Sequence, residues 1–176
     1  MAPHKIALVG PESTGKTSLV IKLATHFQAP FVPEYARQHL TLGNQIKTAQ
    51  DLYSLAKKQL IAEGKALKNC QSSWLFCDTD LHNIVIWSQH VFNSIDPRLQ
   101  KMEEQQQYDL YLLLSPDLPW IADGLRQSPH LREQLYQVYR ARLIEKNRPF
   151  VEISGKRTRF QACLKALGHF KTFIAN

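Results

Sequence analysis

Gly10-Pro11-Glu12-Ser13-Thr14-Gly15-Lys16-Thr17 is the stretch that decides the fold. It fits the pattern Gly-x-x-x-x-Gly-Lys-[Ser/Thr], known as Walker A, without a mismatch, and its surroundings fit too. The apolar run 5–9 before it reads as a strand. Residues 16–27 after it carry Leu19, Val20, Leu23 and Phe27 at helical spacing. A chance glycine-rich turn followed by Lys-Thr would lack that flanking strand and helix. The residue types are those a phosphate-binding loop needs. Gly10 and Gly15 let the backbone turn so that N–H groups from about Ser13 to Thr17 converge on phosphate oxygens. The helix N-terminus adds partial positive charge. Lys16 is expected to bridge the β and γ phosphates of ATP, and the Thr17 hydroxyl to meet Mg²⁺. The loop residues expected to contact the nucleotide are Gly10, Glu12, Ser13, Thr14, Gly15, Lys16, Thr17 and Ser18.

Beyond the loop, strands and helices alternate. Phe31–Val32 reads as a second strand, between Pro30 and Pro33. Thr48-Ala-Gln-Asp51 resembles a capping box, opening a helix with Leu52, Leu55, Ala56 and Leu60 on one side. Residues 74–77 form a continuously apolar third strand, Leu81–Phe92 a helix, Leu110–Leu114 a fourth strand and Phe150–Ile153 a fifth. Prolines at 116, 119 and 129 break up the segment after the fourth strand, where a lid over residues 115–132 is expected. Ser128 and Pro129 are read as opening a helix with Leu131, Leu135, Val138 and Leu143 inward. A last helix is read over 158–167, packing through Phe160, Leu164 and Leu167. Such alternation predicts a mainly parallel sheet covered by helices on both faces. Ligands then bind beyond the carboxyl ends of the strands.

Candidate site residues follow the strands accordingly. Asp78 stands just past the third strand, where a P-loop needs a carboxylate for its metal, so Thr17 and Asp78 are the expected Mg²⁺ pair. Asp80 reads equally as a substrate ligand or as the N-cap of the next helix. Pro33-Glu34-Tyr35-Ala36-Arg37 follows the second strand. A carboxylate at Glu34 could take the proton of an attacking hydroxyl, with Arg37 one helical turn away. In the lid, Trp120 offers a stacking surface or a core aromatic, Asp123 a polar contact at the Gly124 turn, and Arg126 a charge for the transferring phosphoryl group. After the fifth strand, Arg157 is either a cation over adenine or part of a solvated basic turn.

Whole-chain composition sets the bounds. The length of 176 residues suits one domain, and 44% hydrophobic with 21% charged residues is ordinary for a globular protein. No apolar run approaches the ~18–20 residues of a membrane span. The start carries too short an apolar stretch for a signal peptide, so a cytoplasmic location is expected. Three widely spaced cysteines argue against a disulfide framework or structural zinc. The net charge of +7 favours an anionic partner, which a nucleotide satisfies as well as a nucleic acid does. A regulatory ATPase module and nucleic-acid binding through 140–148 and 156–159 are the competing readings.

Taken in order, Gly-Pro-Glu-Ser-Thr-Gly-Lys-Thr, Pro-Glu-Tyr-Ala-Arg, Cys-Asp-Thr-Asp, Tyr-Asp-Leu-Tyr-Leu-Leu-Leu and Pro-Trp-Ile-Ala-Asp-Gly-Leu-Arg resemble the ribosylnicotinamide kinase domain of the bacterial NadR proteins. The resemblance spans about residues 5 to 160, and its last element is much more specific than Walker A. It implies a three-layer α/β/α P-loop kinase fold with a five-stranded parallel sheet of order 2-3-1-4-5. It further implies ATP- and Mg²⁺-dependent phosphorylation of the 5′-hydroxyl of nicotinamide riboside, giving nicotinamide mononucleotide. Glu34 and Asp80 become candidates for the ribose, Trp120 for the pyridine ring, and Arg126 the lid arginine. The adenylyltransferase and DNA-binding parts of NadR proteins are not expected within 176 residues. The partner expected is therefore a small nucleoside, not nucleic acid or membrane.

Overall fold

Leu110–Leu114 and residues 6–9 are buried on both faces, which favours their nearly continuous apolar character, and these two runs lie side by side at the centre of one sheet. The computed structural model describes residues 2–43, 45–121 and 129–174. Its strands are β1 (His4–Val9), β2 (Phe31–Val32), β3 (Trp74–Asp78), β4 (Leu110–Leu114) and β5 (Phe150–Ile153). All neighbours are parallel, in the order β2-β3-β1-β4-β5. The helices are α1 (Lys16–His26), α2 (Tyr35–Thr41), α3 (Ala49–Lys68), α4 (Leu81–Phe92), α5 (Pro97–Gln105), α6 (Arg132–Glu145) and α7 (Arg159–Ile174). This is the three-layer P-loop kinase fold.

Alternation along the strands divides the core. Ile6, Leu8, Leu112 and Leu114 pack with Leu19, Val20 and Leu23 of α1 and Cys163 and Leu167 of α7. Ala7, Val9, Tyr111 and Leu113 face Tyr136, Tyr139 and Leu143 of α6. A third cluster joins α3, α4 and α5 through Leu52, Leu55, Leu81, Ile84 and Leu99. The capping box of α3 is present: Thr48 Oγ1 accepts from Asp51 N, and Asp51 Oδ2 accepts from Thr48 N.

Four elements differ from their sequence reading. Helix α5 was not anticipated, because only Leu99 and Met102 mark it as apolar among charged residues; its signal is Asp96 as N-cap before Pro97. Helix α7 runs on to Ile174 rather than ending near Leu167. The buried stripe of α6 is Arg132, Tyr136, Tyr139 and Leu143, and Val138 is exposed. A search for aliphatic letters passes over the tyrosines and the arginine that hold this face. A short 3₁₀ turn, Pro129–Leu131, precedes α6, whereas the proposed Ser128 cap lies outside the described residues.

Candidate active site

The loop from Gly10 to Thr17 leaves β1 in the middle of the sheet and enters α1. Gly10 has φ +133°, and a Cβ there would lie 2.6 Å from Leu114 O, so only glycine fits against β4. Gly15 is left-handed at φ 81° and serves as the N-cap of α1. Lys16 is buried, with its Nζ donating to Gly10 O and Pro11 O at 2.8 Å each.

Thr17 Oγ1 donates to Asp78 Oδ2 at 2.6 Å. The other oxygen, Asp78 Oδ1, is buried and has no hydrogen-bond partner among the described residues. A buried carboxylate oxygen left in that condition beside a P-loop hydroxyl suits a hard divalent cation such as Mg²⁺. Next to it, Thr79 holds φ +83°, a position that disfavours a β-branched residue, with its N–H donating to Leu8 O at 3.0 Å.

Two cavities meet at the loop. One, of about 330 Å³, is bordered by Gly10, Glu12, Lys16, Glu34, Arg37, Asn83, Trp87 and Tyr139. The other, of about 470 Å³, is bordered by Ser13 to Leu19, with Leu118, Arg157 and Phe160. Lys16 and Arg37 border both. Arg37 Nη1 lies 3.5 Å from Thr17 Oγ1. Two ligand spaces sharing a lysine and an arginine give the layout of a group-transfer site.

In the first cavity Glu34 occupies the N-cap position of α2. Its Oε1 accepts from Asn83 Nδ2 at 3.3 Å, while Asn83 Oδ1 accepts from the Tyr139 hydroxyl. Asn83 and Trp87 are four residues apart on α4 and so share one face. Asn83, Trp87 and Tyr139 were not singled out in the sequence. The i, i+4 spacing from Asn83 to Trp87 was available, but nothing local ties either to Tyr139 of α6.

The remaining expected residues fall as follows. Glu12 borders the first cavity, whereas Thr14, Ser18 and Arg157 border the second. Asp80 is fully buried away from both cavities: its Oδ1 caps α4 through Asn83 N, and Oδ2 meets His82 Nδ1 at 2.5 Å. Trp120 is half-buried outside the first cavity, 6.0 Å from the Arg132 guanidinium, so the tryptophan of that cavity is Trp87. Asp123 and Arg126 lie outside the described residues.

In the first turn of α4, His82 is clasped between Asp80 and Glu103, whose Oε1 is 2.9 Å from Nε2. Burial pushes the imidazole pKa down, but the two carboxylates outweigh it and raise it to about 9. Burial works against ionised Glu103 as well, yet His82 and Arg142 hold it at about 2.

Among known proteins, the AAA domain family matches residues 5–159. The trifunctional NAD biosynthesis/regulator protein NadR of Escherichia coli is 30% identical over 171 residues, covering 91% of this chain and 41% of that protein. NadR of Salmonella typhimurium is 32% identical over 127 residues, 69% of this chain and 30% of that protein. This chain thus spans less than half the length of either relative. A NadR protein solved in complex with NR superposes with a TM-score of 0.84 at 22% identity, over 96% of this chain and 52% of that one. Another, in complex with NAD and AMP-PNP, gives a TM-score of 0.73 at 22% identity, over 96% and 49%. Among the described residues no helix is long and apolar enough to cross a membrane. The chain belongs to the AAA domain family, as a NadR-like domain with the P-loop kinase fold.

Proposed function

We propose that this domain transfers the γ-phosphoryl group of ATP to the 5′-hydroxyl of nicotinamide riboside, giving nicotinamide mononucleotide and ADP. The observation that carries the reading is the pair of cavities joined at Lys16 and Arg37, with Glu34 in one and the phosphate loop in the other. Similarity to NadR, including a relative in complex with NR, supports the choice of acceptor.

On this reading Glu34 accepts the proton of the 5′-hydroxyl as its oxygen bonds to the γ-phosphorus and the bond to the β–γ bridging oxygen breaks. Asn83 keeps Glu34 turned toward the acceptor, and Tyr139 keeps Asn83 turned toward Glu34. Lys16 and Arg37 stand where negative charge accumulates between the two ligands. Thr17 and Asp78 would hold Mg²⁺, which when bound neutralises phosphate charge. Trp87 gives the nicotinamide ring a flat apolar neighbour.

Incubation with ATP, Mg²⁺ and a panel of nucleosides, with products identified by mass, tests the proposal. Nicotinamide mononucleotide should dominate. Phosphorylation of another nucleoside in its place overturns the acceptor, and ATP hydrolysis without any phosphorylated nucleoside overturns the kinase.

A further inference from the structure

The carbonyl groups of residues 10–15 all have donors, and the donors are of two kinds. Gly10 O and Pro11 O accept from Lys16 Nζ, Pro11 O also from Thr14 Oγ1, and Gly15 O from Leu19 N. Those contacts are made within the loop and its own helix. The three between them are made by arginines more than a hundred residues away in sequence. Arg132 donates Nε to Glu12 O at 3.1 Å and Nη2 to Ser13 O at 3.2 Å, and Arg159 donates Nη1 to Thr14 O. The same Arg132 guanidinium donates Nη1 to Leu118 O at 2.9 Å.

A trans peptide holds its C=O and the following N–H on opposite sides. Carbonyls of Glu12, Ser13 and Thr14 pinned outward therefore turn the N–H groups of Ser13, Thr14 and Gly15 inward. Ser13, Thr14 and Gly15 border the nucleotide-side cavity, whereas Arg132 borders neither of the two cavities at the loop. Arg132 is only 9% exposed, and a guanidinium taken out of water needs bonded N–H groups, which these three carbonyls supply. Its planar fork reaches adjacent carbonyls that a single ammonium could not span.

We propose that Arg132 is a positioning residue for the triphosphate: it acts from behind the loop, fixing the carbonyls of Glu12 and Ser13 so that the N–H groups of Ser13 and Thr14 face the phosphates. The inference rests on the kinase reading only in requiring a triphosphate at the loop, and it holds for any acceptor.

The test is calorimetric binding of MgATP to the intact chain and its Arg132→Gln and Arg132→Lys variants, with the melting temperature of each in the absence of nucleotide. Loss of two oriented donors is expected to weaken MgATP about tenfold in Arg132→Gln, with Arg132→Lys between the two. Nucleotide-free melting should fall by only a few degrees for the lost carbonyl contacts, since both variants keep Tyr136, Tyr139 and Leu143 of the buried α6 face. Wild-type MgATP affinity in Arg132→Gln overturns the proposal. So does a loss of affinity that only follows a collapse of nucleotide-free stability. If Arg132→Gln does not fold, Arg132→Lys carries the test, and wild-type affinity there is the contrary result. The binding measurement needs no acceptor, so a protein that binds MgATP yet phosphorylates no nucleoside ends the kinase reading and leaves this one intact.

Discussion

Glu34 borders the first cavity just after β2, with Asn83 donating to its Oε1, and on the proposed mechanism it takes the proton of the acceptor hydroxyl. Glu34→Gln keeps the shape and removes the base, so kcat should fall roughly 10²–10⁴-fold with a small change in acceptor KM. A steady-state assay decides this; near-normal kcat would leave Glu34 a role in positioning only. The two tryptophans make a paired prediction. Trp87→Ala should raise acceptor KM by about tenfold, roughly 1.4 kcal/mol of lost contact, and Trp120→Ala should leave it near wild type. The reverse ranking would move the aromatic contact to the proline-rich segment. The sequence displayed Glu34 because a strand ends just before it. It could not display Trp87 as its neighbour, since α2 and α4 both pack on α3 and meet across long stretches of chain.

Helix α4 supplies Asn83 and Trp87 to the first cavity, and its first turn is held by charge rather than by apolar packing alone. Asp80 caps it, and His82 locks Asp80 to Glu103, which Arg142 of α6 holds in turn. The raised His82 pKa has a consequence for stability. Protonated His82 is favoured in the folded state, so its contribution is fully present below the unfolded value of 6.5 and is lost as pH rises through about 9. The Glu103 contribution runs the other way, present above 4.5 and lost as pH falls through about 2. Urea unfolding of wild type and His82→Gln should therefore show a stability gap that is largest at about pH 6. It should narrow by an order of 3 kcal/mol by about pH 10. A gap that does not change with pH would contradict the charged triad. Elements whose signal is local were legible beforehand: the Thr48–Asp51 capping box, the strands apolar on both faces, and the loop. Helix α5 and the inner face of α6 were not, because Arg142 meets Glu103 and the α6 tyrosines meet the sheet across long stretches of chain.

Across the whole molecule, the parallel order β2-β3-β1-β4-β5 gathers the Gly10–Thr17 loop, Glu34, Asp78 and Arg157 at the carboxyl ends of the strands. Val9 leads to the loop, Val32 to Glu34, Asp78 ends β3, and Ile153 leads to Arg157. That gathering was legible in advance, since strand–helix alternation dictates it. The division into two cavities and the arginines behind the loop were not legible, because both depend on side chains of α6 and α7 that reach the loop across more than a hundred residues of chain. The net charge of +7 fits the same picture, a cationic field for a triphosphate at the loop.

The proposed reaction passes one phosphoryl group from ATP in one cavity to nicotinamide riboside in the other. Its most direct test counts ADP and nicotinamide mononucleotide in the same timed samples, with ATP, Mg²⁺ and nicotinamide riboside supplied. The prediction is equal amounts of both products, with neither formed above background by Lys16→Ala. ADP accumulating without nicotinamide mononucleotide would contradict it.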